Sequence, residues 1–412
     1  MSHTKGSETA PDPARAGSQG SVAPTSRSPD VAIVGGGVMG CAVALRLAQR
    51  GVRVTVIERG IPGAEASSAA AGMLAPQMEA DGPGPMLELG LRSRALYPSL
   101  AVELRDATGI DIGYLKSGVL AVALQEADEA ALATRRIWQT ARGMRMESLS
   151  GDAARQREPA LGGTVRAALL FSDDAQVNPP ALARAFSQAA AAAGAKFLQG
   201  RYVRRVCTSA GSATGVELDG DTLAAGVVVV AAGSWSGLVE GAGVPSSVVR
   251  PARGQLVAIE TRPPLFRHVL SVHGRGYLVP RRDGTVVAGS TVEMVGFRKE
   301  VTVSGLAAIL SLAQTLVPAL AEAPVVQSWS NFRPYTEDHL PVLGTTPVRG
   351  LVLATGHYRN GILLAPVTAQ AIADLIATGS AGLDLGPFSV TRFARLAVRG
   401  AGADASGSLT PR

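Results

Sequence analysis

The chain has 412 residues, of which 46% are hydrophobic and 17% charged, a composition that excludes an intrinsically disordered protein. The 48 glycines follow no three-residue period, which excludes a collagen-like protein. The formal net charge is +6, but residues 1–29 contribute +1 and residues 388–412 contribute +3, so residues 30–387 carry only +2. We therefore expect an α/β or mixed, enzyme-like protein of two or more structural units that binds no nucleic acid.

The termini and the cysteines predict where the protein resides. Residues 1–29 are polar, rich in Pro, Ser and Gly, and lack the apolar core of a signal peptide, and the chain contains no run of 18 apolar residues. Cys41 and Cys207 belong to no CxxC or Cys/His pattern, so neither a metal site nor a disulfide framework is indicated. We expect a soluble cytoplasmic protein without membrane contact, with a disordered leader over residues 1–29 and a flexible basic tail over residues 386–412.

The first predicted elements form a βαβ unit. Residues 31–34 are a short apolar run typical of a buried strand, and a helix is predicted to follow through residue 50. Residues 52–57 predict a second strand. The length of the unit suits a parallel crossover connection.

The turn between this strand and this helix has the spacing of a dinucleotide-binding loop. Gly35, Gly37 and Gly40 fit GxGxxG, in which the first glycine permits a tight turn, the second lets the backbone approach a pyrophosphate, and the third allows close helix packing. The helix N-terminus favours the anion. Glu58 lies 18 residues beyond Gly40, where an acidic residue binds a ribose diol. The complete unit favours a dinucleotide site over the alternative of a plain glycine-rich turn.

The rest of the chain alternates between helices and two kinds of strand. Residues 62–85 are rich in Gly, Ala, Ser and Pro and too long for a simple turn, which predicts a functional segment. Residues 250–293 contain short alternating strands, which predict an antiparallel sheet inserted between the elements of a parallel one. The other helices are predicted over 85–108, 180–193, 304–316 and 362–377, and the other strands over 119–123, 169–171, 196–206, 213–218, 222–225, 227–232 and 351–354.

Several longer motifs follow one another in an order that resembles a known family. They are SSAAAGMLAP at 67–76, DAQVNP at 174–179, AAGSW at 231–235, GYLVPR at 276–281, FRPYTEDHLPVLG at 332–344 and GHYRNGILLAP at 356–366. This ordered set resembles the flavin-dependent D-amino acid oxidase superfamily, and most closely its glycine oxidase branch, over residues 30 to about 380.

The resemblance implies a fold and a cofactor. The fold is α/β (α+β overall), with a Rossmann-like FAD-binding domain over residues 30–115, 178–248 and 336–385. A mostly antiparallel, discontinuous substrate domain takes residues 116–177 and 249–335. Related sarcosine oxidases attach their flavin through a cysteine in the C-terminal half, and no cysteine follows Cys207, so the FAD is expected to be non-covalent.

The resemblance also implies a set of cofactor-binding residues. They belong to the glycine-rich loop, the segment after Glu58, and the small-residue loops that follow buried strands. The predicted residues are Gly35, Gly37, Val38, Met39, Gly40, Glu58, Arg59, Ser67, Ser68, Ala71, Gly72, Met73, Val206, Ala232, Gly233, Trp235, Gly356, Arg359, Asn360, Gly361 and Ile362.

For the substrate, the resemblance implies that Arg333 binds a carboxylate, which a guanidinium matches with two parallel donors. Tyr277 corresponds to a tyrosine that hydrogen-bonds the same carboxylate, Arg359 to a position at the opening of the active site, and Met73 to one beside the flavin and substrate. A structural arginine paired with Glu337 or Asp338 remains the alternative for Arg333. Tyr277 and Met73 could equally fill a core, and Arg359 could hold a loop through an ion pair.

The implied reaction is hydride transfer from the substrate Cα to flavin N5, with catalytic roles for Arg333, Tyr277 and Arg359. Because the amino group reacts in its neutral form, none of the histidines at 273, 339 and 357 is required as a base. Glycine, or another small amine or D-amino acid, would give an imine and then glyoxylate, ammonia and hydrogen peroxide, with molecular oxygen as acceptor.

The branch further implies that the imine is supplied to a thiazole synthase in thiamine synthesis, and that the enzyme is a homo-oligomer, a tetramer. Two other functions stay open on sequence alone. One is a D-amino acid or sarcosine-type dehydrogenase with an acceptor other than oxygen. The other is a flavin-binding protein that has lost turnover and serves as a partner-binding module.

Overall fold

The structure is a computed structural model that describes residues 28–393. The predicted leader over residues 1–29 therefore lies outside the described residues up to residue 27, as does the predicted tail from residue 394 onward. The described strands, numbered in chain order, are β1 Val31–Val34, β2 Val54–Glu58, β3 Met73–Leu74, β4 Val119–Ala123, β5 Glu147–Ser150, β6 Ala167–Phe171, β7 Ala175–Gln176, β8 Lys196–Gln199, β9 Val203–Ser209, β10 Ser212–Leu218, β11 Thr222–Ala224, β12 Val227–Val230, β13 Arg250–Glu260, β14 Val269–Val272, β15 Gly276–Pro280, β16 Thr285–Gly289, β17 Val325–Tyr335, β18 Val342–Thr345 and β19 Leu351–Thr355.

The helices begin and end at residues that suit helix termini. Asn178 caps one of them by accepting a hydrogen bond from the Ala181 N–H, and Pro179 occupies its first turn. The described α-helices are α1 Val38–Ala48, α2 Ala66–Ala69, α3 Pro76–Glu79, α4 Pro85–Thr108, α5 Glu126–Thr140, α6 Gly151–Arg157, α7 Pro179–Ala192, α8 Val303–Leu316 and α9 Gly361–Thr378.

A six-stranded sheet carries the βαβ unit, in the order β18-β19-β12-β1-β2-β8. All of its neighbours are parallel except β18 and β19. Its central strands β1 (VAIV) and β12 (VVVV) are almost wholly buried, as expected for parallel strands covered on both faces. Helices α1, α4, α7 and α9 form one covering layer, and the three-stranded sheet β11-β10-β9 lies on the other face.

The second structural unit is built on an eight-stranded sheet, in the order β17-β13-β16-β15-β14-β4-β6-β5. Its neighbours are antiparallel except β14 and β4, which are parallel. Its strands come from residues 116–177 and 249–335, whereas those of the six-stranded sheet come from 30–115, 178–248 and 336–385. The predicted fold class, a Rossmann-like α/β domain joined to a mostly antiparallel sheet, is therefore confirmed.

One boundary prediction is wrong. The flexible tail was expected from residue 386, but Gly386–Phe388 forms a 3₁₀ helix and the Phe388 ring is buried in the core. Arg392 then forms an ion pair with Asp338, with its Nε 2.6 Å from Oδ2. Apolar burial and this ion pair extend the ordered structure into the predicted tail.

Among residues 28–393, one helical stretch is long and apolar enough to cross a membrane, Tyr358–Thr378. It contains α9, which packs against α1 and α4, and 61% of it is buried. Core helices of soluble proteins pass the same test of length and composition, so this stretch is weak evidence for a membrane span.

Candidate active site

A large cleft lies between the two sheets and is lined by residues from both. The strands β1, β12 and β19 end at it, through Gly35, Ala231 and Thr355. Its far wall comes from β13, β15 and β17 of the eight-stranded sheet. Ligands of open parallel sheets bind at the carboxyl ends of the strands, which is where this cleft lies.

The glycine-rich loop turns with very little space around it. Gly35 has a φ of 103°, and a Cβ on it would lie 2.6 Å from the carbonyl oxygen of Ala231. A Cβ on Gly40 would lie 1.9 Å from the carbonyl oxygen of Gly35, so only glycine lets α1 approach the loop this closely. Gly37 is the N-cap of α1 and has no side chain of its own to cap the helix, and the helix N-terminus faces the cleft.

Glu58 and Ser67 organise the same end of the cleft. The Glu58 carboxylate accepts hydrogen bonds from the Gly36 N–H and the Gly60 N–H, both at 2.8 Å. The Ser67 hydroxyl accepts one from the Val38 N–H at 2.9 Å. Both side chains line the cleft, so the acidic residue and the helix N-terminus lie together as the dinucleotide motif requires.

An aromatic stack forms one wall. The Arg59 guanidinium lies over the Trp235 ring, with Cζ 3.9 Å from the ring centroid, in cation–π geometry. Phe297, from the segment between β16 and α8, packs on the Trp235 ring with centroids 5.3 Å apart but does not itself line the cleft. The stack therefore joins the two structural units beside the cleft.

The segment predicted to be functional, residues 62–85, contains α2, β3 and α3 and lines the middle of the cleft. A Cβ on Gly72 would lie 2.2 Å from the carbonyl oxygen of Val177, so this backbone packs directly on the loop before α7. Arg281 bridges the two segments, donating to the carbonyl oxygens of Ala71 at 2.5 Å and Val177 at 2.7 Å. These contacts place Met73 on the lining of the cleft.

Arg333 lies at the end of the cleft formed by the eight-stranded sheet. Its Nη2 donates to the Ser290 hydroxyl at 2.5 Å and its Nη1 to the Thr291 carbonyl oxygen at 3.1 Å. None of the ion pairs formed within residues 28–393 includes Arg333. The alternative pairing with Glu337 or Asp338 is therefore not formed, and a partly buried cation faces the cleft without a carboxylate.

Tyr277 lines the cleft near Arg333 and is 8% exposed. Within the described part of the chain its hydroxyl has no hydrogen-bond partner. This oxygen lies beside Gly289, since a Cβ there would be 3.3 Å from it, and Gly289 precedes Ser290, which binds Arg333. A buried phenol usually has a partner. The free hydroxyl is thus available to a ligand in the cleft.

Arg359 differs from Arg333 because it has a carboxylate partner. Its Nη2 lies 3.1 Å from Oε1 of Glu79, and this carboxylate raises the pKa of the guanidinium. Both side chains line the cleft. Arg359 therefore holds α3 to the loop before α9, which is the ion-pair alternative, while remaining at the cleft.

His357 also lines the cleft, but it does not have the properties of a base. Burial lowers the pKa of its imidazole to about 3, so the ring is neutral. Its Nε2 lies 3.2 Å from the Thr368 hydroxyl within the core. His273 and His339 do not line the cleft. The structure therefore offers no histidine base there among the described residues.

The cleft brings together most of the predicted site residues but not all of them. Gly40, Ser68, Val206 and Gly356 do not line it. Gly40 acts through packing, and the Ser68 hydroxyl donates to the Gly63 carbonyl oxygen at 2.6 Å. Val206 lies in the core opposite Val216, and it is Val203, at the start of β9, that lines the cleft, so FAD contact by Val206 stays a prediction.

Several cleft residues were not predicted from the sequence. Among them are Glu79, Gly254, Ser290, Asn331 and Tyr358. Ser290 follows β16 and Gly254 lies within β13, in the RGQ triplet at 253–255, so the only available signal was a small residue in the stretch predicted to form antiparallel strands. No group of three His, Cys, Asp or Glu residues suited to a metal occurs in the part of the chain that the structure describes.

The described residues fit a bound FAD. The crowded glycine loop, the helix N-terminus and Glu58 supply the features that hold a dinucleotide, and the cleft continues from them to Arg333. Residues of the small-residue loops, from Ala71 to Met73 and from Arg359 to Ile362, line its middle.

Comparison with known proteins places the chain in a family. It matches the family model described as "FAD dependent oxidoreductase" over residues 30–375. It is 41% identical to a glycine oxidase from Geobacillus kaustophilus over 88% of this chain and 97% of that protein, and the crystal structure of glycine oxidase from that organism superposes with a TM-score of 0.85 at 39% identity, over 88% of this chain and 98% of that one. It is also 37% identical to the bifunctional protein ThiO/ThiG from Trichormus variabilis, over 89% of this chain but only 56% of that protein. The resemblance stated from the sequence is thereby confirmed: the chain belongs to the FAD dependent oxidoreductase family, and FAD is its cofactor.

Proposed function

We propose that the chain oxidises glycine, or another small amino acid or amine of similar size, to its imine. The observation that carries this proposal is Arg333, a cleft-lining guanidinium with no carboxylate partner among residues 28–393. Together with the free Tyr277 hydroxyl, it forms a subsite suited to an amino acid carboxylate. The similarity to glycine oxidases supports the size of the substrate.

The chain's own residues bind and orient the substrate in this proposal. Arg333 and Tyr277 hold the carboxylate, and Met73 limits the space beside the Cα. Bound FAD supplies the acceptor for the hydride that leaves the Cα. The amine reacts unprotonated, so no side chain has to remove a proton, in keeping with the neutral, core-bonded His357.

The products follow from the balance of this step. The substrate loses two electrons and two protons in all and becomes an imine, which water hydrolyses to glyoxylate and ammonia when the substrate is glycine. Molecular oxygen takes up the two electrons and two protons and becomes hydrogen peroxide. We also propose that the FAD is held without a covalent bond.

The biological setting is part of the proposal. The similarity to a bifunctional ThiO/ThiG protein supports a role in thiamine synthesis, with the imine passed to a thiazole synthase before it meets water. We further propose a homo-oligomer, a tetramer, in the cytoplasm.

A visible spectrum recorded without oxygen tests the function. Glycine should bleach the flavin band of the purified holoenzyme, and air should restore it with formation of hydrogen peroxide. Arg333→Ala should keep its FAD but resist bleaching at the same glycine concentration, whereas Arg349→Ala, a change at an exposed residue outside the cleft, should behave like the wild type.

Each other result has a defined meaning. If the yellow protein is bleached by a D-amino acid or by sarcosine but not by glycine, that compound takes the place of glycine as the proposed substrate. Bleaching that air does not reverse would favour the dehydrogenase with another acceptor. Normal bleaching of Arg333→Ala would contradict the assignment of the carboxylate subsite.

A further inference from the structure

Residues 290–300, the segment that follows β16, determine where the Arg333 guanidinium lies. Ser290 and Thr291 accept hydrogen bonds from its two terminal nitrogens, at 2.5 and 3.1 Å. A guanidinium has five N–H groups, so these two contacts fix its plane and leave others for a carboxylate. A shift of this segment would therefore move the donors of the proposed subsite.

The segment is itself attached to β13 through a buried polar network. The Gln255 N–H donates to the Thr291 hydroxyl at 3.0 Å, and the backbones of Arg253 and Glu293 exchange two hydrogen bonds of 2.9 and 3.0 Å. The Glu293 carboxylate accepts from Arg253 Nε and from Gln255 Nε2, both at 2.7 Å. The Glu293 side chain thus connects the segment to two residues of β13, Arg253 and Gln255.

The strand side of this network has little access to water. Arg253 is 6% exposed and Gln255 is not exposed at all. Arg253 also donates to the carbonyl oxygens of Arg298 and Glu300, at 3.3 and 2.9 Å, so it holds the later part of the segment as well. A buried guanidinium that loses its carboxylate is costly, because the remaining charge is left without compensation.

Glu293 remains ionised in this network. Burial alone would raise the pKa of its carboxyl, but the hydrogen bonds from Arg253, Thr291 and Gln255 outweigh burial and lower it. The second acidic residue near Arg253 is Glu300, whose carboxylate lies 3.6 Å from Nη1 and whose side chain is 70% exposed. The two glutamates therefore meet the same arginine with very different burial and geometry.

We propose that Glu293 is a positioning residue for the substrate carboxylate, acting through the Ser290 and Thr291 contacts that hold Arg333. The proposal rests on the proposed function, in which Arg333 binds that carboxylate. Neutralising Glu293 weakens the attachment of the segment to β13, so Ser290 and Thr291 shift and the guanidinium loses its fixed plane. Carboxylate binding should suffer more than the rate of turnover at saturating substrate.

The test compares Glu293→Gln with Glu300→Gln in the holoenzyme. The dissociation constant of acetate, a carboxylate without an oxidisable amine, is measured from its perturbation of the flavin spectrum, alongside KM and kcat for glycine. Glu293→Gln should weaken acetate binding and raise KM by about tenfold, since small misplacements of a binding group have effects of this size or larger. Glu300→Gln should leave both constants unchanged, and an unchanged acetate constant in Glu293→Gln would overturn the proposal.

Arg333→Lys separates this proposal from the function on which it rests. If Arg333→Lys does not weaken acetate binding, the carboxylate subsite itself is wrongly assigned. If Arg333→Lys weakens it and Glu293→Gln does not, only the positioning role fails. The double variant should be no weaker than Arg333→Lys alone, and fully additive effects would mean that Glu293 does not act through Arg333.

Ser290→Ala keeps the proposal testable if Glu293→Gln does not fold with its FAD. This change removes the acceptor for Arg333 Nη2 and leaves the network of Glu293 intact. Acetate binding should weaken while the FAD content stays at the wild-type level. Unchanged acetate binding in Ser290→Ala would contradict the proposed path from the segment to Arg333.

Discussion

A Cβ atom on Gly254 would lie 2.1 Å from Nη1 of Arg333. It would also lie 2.3 Å from Nη2 and 2.4 Å from Cζ, so the guanidinium packs against the bare backbone of β13. Gly254 pairs with Asn331 across the sheet, two residues before Arg333. The space that the arginine occupies therefore exists because this strand has a glycine at that position.

Gly254→Ala should displace the Arg333 guanidinium, because the added methyl group overlaps three of its atoms. We expect acetate binding and kcat/KM for glycine to fall by about tenfold or more, since a misplaced binding group loses its orientation. FAD content should be unchanged. Gly163→Ala is the control, since a Cβ there meets nothing within 4 Å. Equal acetate affinity in both variants would show that Arg333 does not need this space.

Gly40→Ala should reduce both stability and FAD retention. The added Cβ would lie 1.9 Å from the Gly35 carbonyl oxygen, so α1 or the glycine-rich loop must move. Overpacking of this kind costs about 1–3 kcal/mol or more. The measurements are the thermal unfolding midpoint and the ratio of flavin to protein after purification. Gly82→Ala, with open space around its Cβ, should match the wild type in both, and a fully FAD-loaded Gly40→Ala would refute the close-packing role.

His357 should make the protein sensitive to acid. Its folded-state pKa of about 3 lies below the ordinary value of 6.5, so the unfolded chain binds a proton first as the pH falls. The neutral His357 imidazole therefore contributes to the free energy of unfolding above pH 6.5, and this contribution is lost progressively toward pH 3. The loss reaches about 2 kcal/mol at pH 5. His357→Gln lacks this titration. Between pH 7.5 and pH 5 its thermal unfolding midpoint should fall less than that of the wild type, and parallel falls would contradict a neutral buried imidazole.

Acid precipitation of the holoenzyme should release all of the flavin into the supernatant. Burial raises the pKa of the Cys41 thiol to about 12, and its Sγ donates to the Gly36 carbonyl oxygen at 3.2 Å, so it is not a reactive thiolate. Cys207 does not line the cleft. A yellow pellet that keeps its colour after washing would contradict non-covalent binding.

Features set by neighbouring residues could be predicted from the sequence. The glycine-rich loop between β1 and α1 and the Asn178 cap of α7 depend on local backbone conformation, which short sequence patterns specify. The predicted strand at 119–123 has the same bounds as β4, because a short apolar run between turns allows little else.

Features set by contacts between distant residues could not be predicted in this way. The run 196–206 was expected as one strand, but it divides near Gly200, whose φ is 70°, into β8 and β9 of different sheets. Because β9 begins after this division, Val203 at its start lines the cleft, whereas Val206 does not. The parallel pairing of β14 with β4 likewise joins segments about 150 residues apart, and no local pattern specifies it.

The Gly254 and Arg333 contact belongs to the same class. It requires the register of β13 against β17, which pairs Ala252 with Arg333. The sequence shows a glycine at position 254. The Arg333 guanidinium lies against it only when β13 and β17 are aligned in this register.

The order of strands in the six-stranded sheet has a consequence for synthesis on the ribosome. Strand β1 leaves the ribosome early, yet its neighbour β12 begins at residue 227, and the next strand, β19, begins at residue 351. Helix α9, which packs on α1, is made later still. A nascent chain therefore carries its glycine-rich loop without the other elements that line the cleft for most of its translation. The complete FAD site can form only near the end of synthesis, because it requires contacts between residues more than three hundred positions apart.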